Sequence, residues 1–292
     1  MGISRQAAPR TMTRKPRDEE LDVFGITHVG RVRPENQDHY LICSLHKRMQ
    51  IHSTSIPEAE LRSPETERLA FLAMVADGVG GGVGGEQASR NTLREVTQYV
   101  QHSMHCYYSA DSADDDAFTR SLEEAALTCH NQLGEQAAAD PSLRTMATTL
   151  TLLLGVWPRL YLLQVGDSRY YLFRDGELTQ VSRDQTLAQE MIDMGVLKRQ
   201  DAKSRWSNIL SSAIGGPHSQ PVVTAVENDW GRVHLLCSDG LTKHVSDERI
   251  ADRLRTMQSA QQVCQDLLND ALEDGGTDNI TIFVGRAVRR DG

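Results

Sequence analysis

The hydrophobic residues of this 292-residue chain occur in short runs, and one run ends in a turn around which the rest can be arranged. Residues 69–76 are all apolar, and the chain then reaches Asp77 and Gly78 directly. Six of the eight residues from 78 to 85 are glycine, and a segment with helical spacing follows. The pattern predicts a buried strand that delivers one carboxylate into a glycine-rich turn, where the Gly78 carbonyl lies beside the Asp77 side chain.

Further strands are predicted on both sides of this stretch. Residues 23–29 and 39–45 have strand-like composition and flank a polar turn. From residue 147 the spacing of hydrophobic residues changes from the helical period to the pattern of short strands. The strands predicted there are residues 147–156, 160–165, 170–174, 178–181, 222–226 and 233–237. The Asp175–Gly176 pair is typical of a hairpin turn, so we expect the four strands before residue 182 to form an antiparallel meander.

Helical spacing appears at residues 86–100, 116–139 and 184–194. Nearer the C-terminus, a stripe of apolar and small residues at helical spacing predicts another helix with one face on the core. The members of this stripe are Ala260, Val263, Cys264, Leu267, Leu268, Ala271 and Leu272. A last strand is predicted after Asp278, so the chain alternates between strand-rich and helix-rich parts.

The length and the 39% hydrophobic content are sufficient for one large domain or two small ones. We expect a single domain over residues 21–288. Residues 1–20 are rich in arginine and poor in large apolar side chains, which predicts a disordered basic tail; a transit peptide is the alternative. Residues 46–68 are polar and contain two prolines, which indicates a surface excursion.

Net charge and cysteine content restrict the class of protein. A formal charge of −9 argues against a general nucleic-acid binder, which normally carries a basic patch. Five scattered cysteines without a Cys-x-x-Cys motif suggest neither a disulfide framework nor a zinc cluster, so a reducing, cytoplasmic setting is expected. No apolar run approaches the roughly 18–20 residues that span a bilayer. We therefore expect a soluble protein with no membrane span.

Several aspartates share one setting, at the junction between an apolar strand and a turn of small residues. They are Asp38, Asp77, Asp167, Asp239 and Asp278. Any one of them alone is more often an Asx-turn or helix-cap residue. Five carboxylates at one edge would repel one another unless cations neutralise them, and an all-oxygen site suits magnesium or manganese rather than zinc. The sequence alone leaves open whether the five converge.

An ordered set of motifs contains these aspartates. The motifs are Arg33-x-x-Asn36-Gln37-Asp38, Ala76-Asp77-Gly78-x-Gly80-Gly81, Gly85-Glu86-x-Ala88-Ser89, Thr148-Thr149, Val165-Gly166-Asp167-Ser168-Arg169, Ser238-Asp239-Gly240-Leu241 and Asp278-Asn279-Ile280-Thr281. From about residue 23 to 287 the chain resembles the metal-dependent protein phosphatase family, type 2C, in its bacterial form. The resemblance implies an α+β fold, a four-layer α-β-β-α sandwich with two central antiparallel sheets flanked by helices.

The resemblance also implies two manganese or magnesium ions at one end of the sandwich, with a weaker third ion. Asp77 resembles the bridging carboxylate, and the Gly78 carbonyl resembles a ligand. Asp239 and Asp278 match ligands of one metal, whereas Asp38 looks like a ligand or a water-holding carboxylate. The positions of two further residues match as well. Asp167 resembles the carboxylate that holds the third ion with Asp239, and Arg33 matches the phosphate-binding arginine.

The chemistry implied is hydrolysis of phosphoserine and phosphothreonine. Two divalent ions roughly 3.5–4 Å apart can share a hydroxide and aim it in line at phosphorus, while Arg33 meets two phosphate oxygens with its planar fork. No arginine stands six residues after any cysteine, so the sequence lacks the Cys-x5-Arg loop of a covalent mechanism. We expect a monomer that acts on phosphorylated proteins, including a cognate serine/threonine kinase.

Two positions depart from the family. Many relatives have a histidine where Val79 or Gly82 stands here, so the identity of any general acid is open. His39 follows Asp38, but successive strand residues alternate faces, which favours a packing or surface role. Two other functions remain: a catalytically silent fold that binds a partner, and a metal phosphohydrolase for small phosphoesters.

Overall fold

Two five-stranded antiparallel sheets pack face to face in the computed structural model, which describes residues 14–47, 67–79, 83–102, 115–198 and 206–290. The strands are β1 (Leu21–His28), β2 (His39–Lys47), β3 (Glu67–Ala76), β4 (Gly78–Val79), β5 (Ala147–Thr148), β6 (Leu150–Val156), β7 (Arg159–Val165), β8 (Arg169–Arg174), β9 (Glu177–Gln180), β10 (Val222–Glu227), β11 (Val233–Cys237) and β12 (Ile280–Ala287). The helices are α1 (Val83–His102), α2 (Asp115–Ala139), α3 (Leu187–Asp193), α4 (Asp239–Thr242), α5 (Asp247–Arg255) and α6 (Ala260–Glu273).

The two sheets have the strand orders β1-β12-β11-β8-β9 and β10-β7-β6-β3-β2, and β4 pairs with β5 beside them. Helices α1 and α2 pack on the second sheet, whereas α5 and α6 pack on the first. The predicted four-layer α-β-β-α sandwich is confirmed. None of the helices in the described ranges combines the length and apolar character that a bilayer crossing needs.

The central strands are apolar on both faces because each face has its own partner. In β3, Leu72 and Met74 point into the layer shared with α1 and α2, while Ala73 and Val75 point toward the opposite sheet. Phe283 of β12 meets this second group from the other sheet. Continuous apolar runs in the sequence therefore mark strands that lie between a helix layer and a sheet.

The predicted four-strand meander is wrong. Strands β6 and β7 belong to one sheet, whereas β8 and β9 belong to the other. The chain changes sheets at residues 166–168, where Gly166 has a φ of 103° and a Cβ would lie 2.6 Å from the Thr149 methyl group. The hairpin at Asp175–Gly176 is confirmed, with positive φ at both residues.

Two predicted elements have different ends in the structure. The helix expected at 184–194 begins at Leu187, because the Asp184 carboxylate pairs with Arg169 and the Thr186 side chain caps the helix. The strand expected at 147–156 is interrupted at Thr149, whose amide donates to the Asp77 carbonyl at 2.9 Å. Both interruptions bring polar groups toward the end of the sandwich where the aspartates lie.

The boundary expected for the disordered tail at residue 20 is wrong for its last part. Residues 14–20 are described and contact the fold, ending in a 3-10 turn at Asp18–Glu20. The Arg68 guanidinium donates to the Pro16 carbonyl at 2.7 Å and pairs with Asp18. Backbone bonds and charge pairs, rather than an apolar face, hold this segment. Residues 1–13, most of the excursion at 46–68, and Gly82 lie outside the described residues.

Candidate metal centre

Six chain segments meet at one end of the sandwich and enclose a cleft of about 630 Å³. They are the β1–β2 loop, the turn after β3, the crossing at 166–168, the stretch that contains Asn208 and Leu210, the start of α4 and the segment before β12. Residues that line the cleft include Arg33, Asp77, Gly78, Asp167, Asp239, Lys243 and Asp278. The structure thus brings four of the five predicted aspartates, Gly78 and Arg33 to one place, and the fifth aspartate, Asp38, is buried beside Asp77.

Asp38 is held from one side only. Its Oδ2 accepts hydrogen bonds from Ser238 Oγ at 2.7 Å and from Thr281 Oγ1 at 2.8 Å. Its Oδ1 is buried and has no hydrogen-bond partner among the described residues. Burial raises the pKa of Asp38 to about 6, although the two hydroxyl groups favour the charged form. Within the described chain this oxygen has no hydrogen-bond donor, so it remains available as an acceptor.

The Asp77–Gly78 turn is fixed by Thr148, the last residue of β5, and by Thr149, which follows it. The Asp77 amide donates to Thr149 Oγ1 at 3.0 Å, and the Asp77 carbonyl accepts from Thr148 Oγ1 at 2.8 Å. A Cβ on Gly78 would lie 2.4 Å from the Gly85 carbonyl, so only glycine fits this close approach. Burial, followed by the charge of Asp38, raises the pKa of Asp77 well above its ordinary value.

Asp239 and Asp278 are neutralised by two cations: Lys243 contacts both carboxylates, and Arg33 contacts Asp278. Lys243 Nζ lies 2.6 Å from Asp239 Oδ2 and 2.7 Å from Asp278 Oδ2. Arg33 meets Asp278 with Nε at 2.8 Å from Oδ1 and with Nη2 at 3.0 Å from Oδ2. Burial acts to raise the pKa of Asp278, but hydrogen bonds from Arg33 and Lys243 outweigh it and hold that pKa below its ordinary value. Burial raises the pKa of Asp239, and Lys243 opposes this effect.

Asp167 lies in the crossing between the sheets and completes the wall of the cleft. Its neighbour Ser168 is buried and bonds Thr149 Oγ1 at 2.8 Å, which ties the crossing to the turn at Asp77. Burial, followed by the charge of Asp239, raises the pKa of Asp167 well above its ordinary value. Four carboxylates that line one cleft therefore repel one another unless positive charge enters.

The donor set of the cleft fits divalent cations of the magnesium and manganese type. All its candidate ligands are carboxylate or carbonyl oxygens. Asp38 Oδ1 and Asp239 Oδ1 are buried without a hydrogen-bond partner in the described chain, which leaves two anionic oxygens for a cation. Within the same residues, however, no three metal-binding side chains form a ready-made cage. We attribute this to the ion pairs of Lys243 and Arg33, which hold two of the carboxylates.

Sequence reasoning missed two residues of this site. Lys243 stands one helical turn after Asp239, a spacing that becomes visible only once a helix is placed there. Asn279 is part of the motif Asp278-Asn279-Ile280-Thr281, but the sequence alone assigns this residue no role. Its Nδ2 donates to the carbonyls of Val29 and Glu35 at 2.9 Å each, and its Oδ1 accepts from the Gln37 amide at 2.8 Å. It fastens the β1–β2 loop to the start of β12.

His39 does not line the cleft. Its Nδ1 lies 3.0 Å from Ser89 Oγ, and its Nε2 lies 3.8 Å from the Glu86 carboxylate on α1. The packing role favoured by strand alternation agrees with this position. Val79 lines the cleft and contributes no titratable group.

Two packed antiparallel sheets flanked by helices, with a carboxylate-lined cleft at one end, define an α-β-β-α sandwich with a candidate metal centre. The family model described as protein phosphatase 2C matches residues 60–276 of the 292, and the chain belongs to this family. The family is metal-dependent.

Three similar proteins illustrate the relationship. The serine/threonine protein phosphatase PstP of Mycobacterium tuberculosis is 35% identical over 223 residues, which cover 76% of this chain and 41% of that protein. The protein phosphatase PhpP of Streptococcus pneumoniae is 29% identical, with 90% of this chain and 96% of PhpP covered. A solved catalytic domain of PstP in complex with two manganese ions superposes with a TM-score of 0.70 at 29% identity, covering 92% of this chain and 99% of that domain. The chain spans less than half the length of PstP.

Proposed function

We propose that this chain is a metal-dependent protein phosphatase that hydrolyses phosphoserine and phosphothreonine. The observation that carries the proposal is the gathering of Asp77, Asp167, Asp239 and Asp278 around one cleft, with Arg33 beside them. Membership of a family whose relatives are named serine/threonine phosphatases supports it.

In this proposal Asp77, the Gly78 carbonyl, Asp239 and Asp278 hold two manganese or magnesium ions. Asp38 stands behind them as a ligand or as the acceptor that orients a water molecule, through the oxygen that has no hydrogen-bond partner among the described residues. Asp167 and Asp239 hold a weaker third ion. When bound, the ions supply a water nucleophile at neutral pH and neutralise charge on the phosphoryl group.

Arg33 binds the substrate phosphate. Its side chain is 55% exposed at the rim of the cleft, so it can exchange Asp278 for phosphate oxygens without a change in the backbone. The guanidinium keeps its charge throughout the accessible pH range and meets two oxygens at once. Because the described lining of the cleft contains no histidine, we assign no protein side chain as the general acid.

The proposal includes the setting in which the protein acts. We infer that the substrates are phosphorylated proteins, among them a cognate serine/threonine kinase, and that the protein acts as a cytoplasmic monomer. The described cysteines are free, which agrees with a reducing compartment.

The test is release of phosphate from a phosphothreonine peptide, compared with nucleotides and sugar phosphates, at graded Mn²⁺. We expect peptide turnover that depends on added metal and is lost after EDTA treatment and desalting. Asp239→Asn should lower turnover by orders of magnitude, because it removes one ligand charge while nearly preserving shape. Preference for small phosphoesters would indicate a different phosphohydrolase, and absence of all turnover would indicate a silent fold.

A further inference from the structure

Lys243 is placed where a positive charge meets two of the proposed metal ligands at once. Its Nζ is within 2.7 Å of one oxygen of Asp239 and one oxygen of Asp278. These are the distances of strong charge-assisted hydrogen bonds, and the two oxygens belong to different chain segments. The ammonium therefore joins the start of α4 to the segment before β12.

We propose that the Lys243 ammonium competes with a divalent ion for Asp239 and Asp278, and so sets how tightly this part of the metal centre binds. The inference rests on the proposed function, because it assumes that these carboxylates are metal ligands. A carboxylate oxygen that accepts a short bond from an ammonium is not free to coordinate a cation at the same lone pair. Metal binding must then displace Lys243 or accept it as a nearby repelling charge.

The Lys243 side chain can move away from the two carboxylates. It is 31% exposed, and its flexible aliphatic stem allows the ammonium to reach water without moving α4. Asp239 and Asp278 are only 20% and 18% exposed, so their carboxylates stay in place when the ammonium moves into water. Displacement thus separates the cation from the carboxylates and leaves the ligands in place.

The competition acts mainly on Asp239. Asp278 keeps a second cation in Arg33, which contacts both of its oxygens, whereas the structure pairs Asp239 with Lys243. The other oxygen of Asp239 is buried without a hydrogen-bond partner in the described chain. Removing the charge at residue 243 should therefore leave Asp239 with two oxygens available and a higher demand for positive charge.

The experiment is calorimetric titration of the full chain with MnCl₂, comparing wild type with Lys243→Met and Lys243→Arg. Methionine keeps most of the stem and removes the charge, and we expect at least one Mn²⁺ site to bind about tenfold tighter, which corresponds to about 1.4 kcal/mol. Lys243→Arg keeps the charge and should stay within about threefold of wild type. Arg174→Met is the matched control, since it removes a cation from an exposed pair on the β8–β9 hairpin.

Thermal unfolding supplies a second readout that does not depend on turnover. Without Mn²⁺, Lys243→Met should melt below wild type, because the carboxylates lose a neutralising charge. Adding Mn²⁺ should raise its Tm by more than it raises the Tm of wild type.

The outcomes are distinct. Wild type that binds no Mn²⁺ overturns the proposed metal centre, and this inference with it. Wild type that binds Mn²⁺ while Lys243→Met binds it equally or more weakly overturns the competition alone. Arginine and methionine variants with the same tightened affinity would show that charge at residue 243 is not the determinant.

Discussion

In the proposed mechanism one side chain, Arg33, binds two anions in turn, Asp278 and the substrate phosphate. Its guanidinium bonds both oxygens of Asp278, at 2.8 and 3.0 Å, yet it is exposed at the rim of the cleft. The pairing keeps the fork oriented before substrate arrives, which reduces the conformational entropy lost when phosphate binds. An arginine in this position is thus preorganised by a ligand carboxylate.

Arg33→Ala should raise KM and lower kcat together, so that kcat/KM for a phosphopeptide falls roughly tenfold or more, a loss of about 1.4 kcal/mol. Mn²⁺ binding should be retained, because arginine offers no lone pair to a metal. Steady-state kinetics and manganese titration measure the two effects. Arg31→Ala, on the same exposed loop, is the control and should leave kcat/KM near wild type; an unchanged value for Arg33→Ala itself would remove Arg33 from the site.

His234 is a buried histidine with both ring nitrogens engaged. Tyr170 Oη lies 2.9 Å from Nδ1, and Asn228 Oδ1 lies 3.1 Å from Nε2. Burial lowers the pKa of His234 to about 4, so the folded protein holds the ring neutral at pH values where the unfolded chain, with a pKa near 6.5, takes up a proton. The stability from this neutral ring is complete above about pH 6.5 and declines as the pH falls toward 4.

His234→Gln should remove this decline, since the amide can donate and accept in the same place without titrating. Between pH 7 and pH 4, wild type should lose up to about 3 kcal/mol of unfolding free energy relative to the variant. Urea unfolding at several pH values measures it. Parallel pH profiles would show that the histidine is protonated in the folded state or does not differ from the unfolded chain.

At the scale of elements, the β1–β2 loop depends on a side chain from the segment just before β12. Asn279 makes three bonds to this loop, at 2.8–2.9 Å, and is itself 6% exposed. Close packing explains why the neighbouring position of α4 is glycine: a Cβ on Gly240 would lie 1.9 Å from the Asn279 carbonyl. The segment before β12, packed against α4, therefore helps to position the loop that carries Arg33.

Asn279→Ala should lower the unfolding free energy by about 2–4 kcal/mol, because it leaves a buried amide and two carbonyls without partners. It should also raise KM, since the loop no longer holds Arg33 in register. Denaturant unfolding and kinetics measure both. Asn91→Ala removes another buried asparagine, bonded to Gln136 at 3.4 Å, and should lower stability without changing KM. A stable Asn279→Ala variant with normal KM would contradict the role.

Some of this site was visible in the sequence for physical reasons. Asp77 follows an apolar strand and precedes glycines, so both its place at a strand end and its close turn follow from local pattern. The position of Lys243 beside Asp239 could not be predicted from the sequence, because it depends on α4. This helix has four residues and is too short to show a hydrophobic period. The crossing at 166–168 was also missed, since alternation identifies a strand but not the sheet in which it finds partners.

At the scale of the whole molecule, the N-terminal segment at residues 14–20 contributes to the fold although its sequence is polar. The Val288 amide donates to the Glu20 carbonyl at 2.8 Å, and Trp230 Nε1 donates to the Arg14 carbonyl at 3.0 Å. The Arg14 guanidinium also lies 5.0 Å from the centre of the Trp230 ring. Hydropathy reports apolar burial, so it could not reveal a segment held by backbone bonds and cation–π contact.

Deleting residues 1–20 should therefore lower Tm by several degrees relative to deleting residues 1–13, with each kcal/mol lost worth about 2–4 °C in a domain of this size. Both truncated chains should hydrolyse a small substrate with similar kcat, because the segment lies at the end of β1 away from the cleft. Calorimetry of the two deletions decides it. Equal Tm values for the two deletions would support the tail boundary that the sequence predicts at residue 20.

The first and last strands of the described fold lie side by side. Leu21 of β1 pairs with Ala287 of β12, and the antiparallel register continues to the pair His28 and Ile280. Tension applied through the two ends therefore loads one end of an antiparallel ladder, so that its hydrogen bonds break in sequence rather than together. The carboxylate cleft follows the opposite end of the same ladder. Under mechanical load, the end beside the cleft is reached only after the other pairs have separated, and the fold resists pulling least at the end farthest from the cleft.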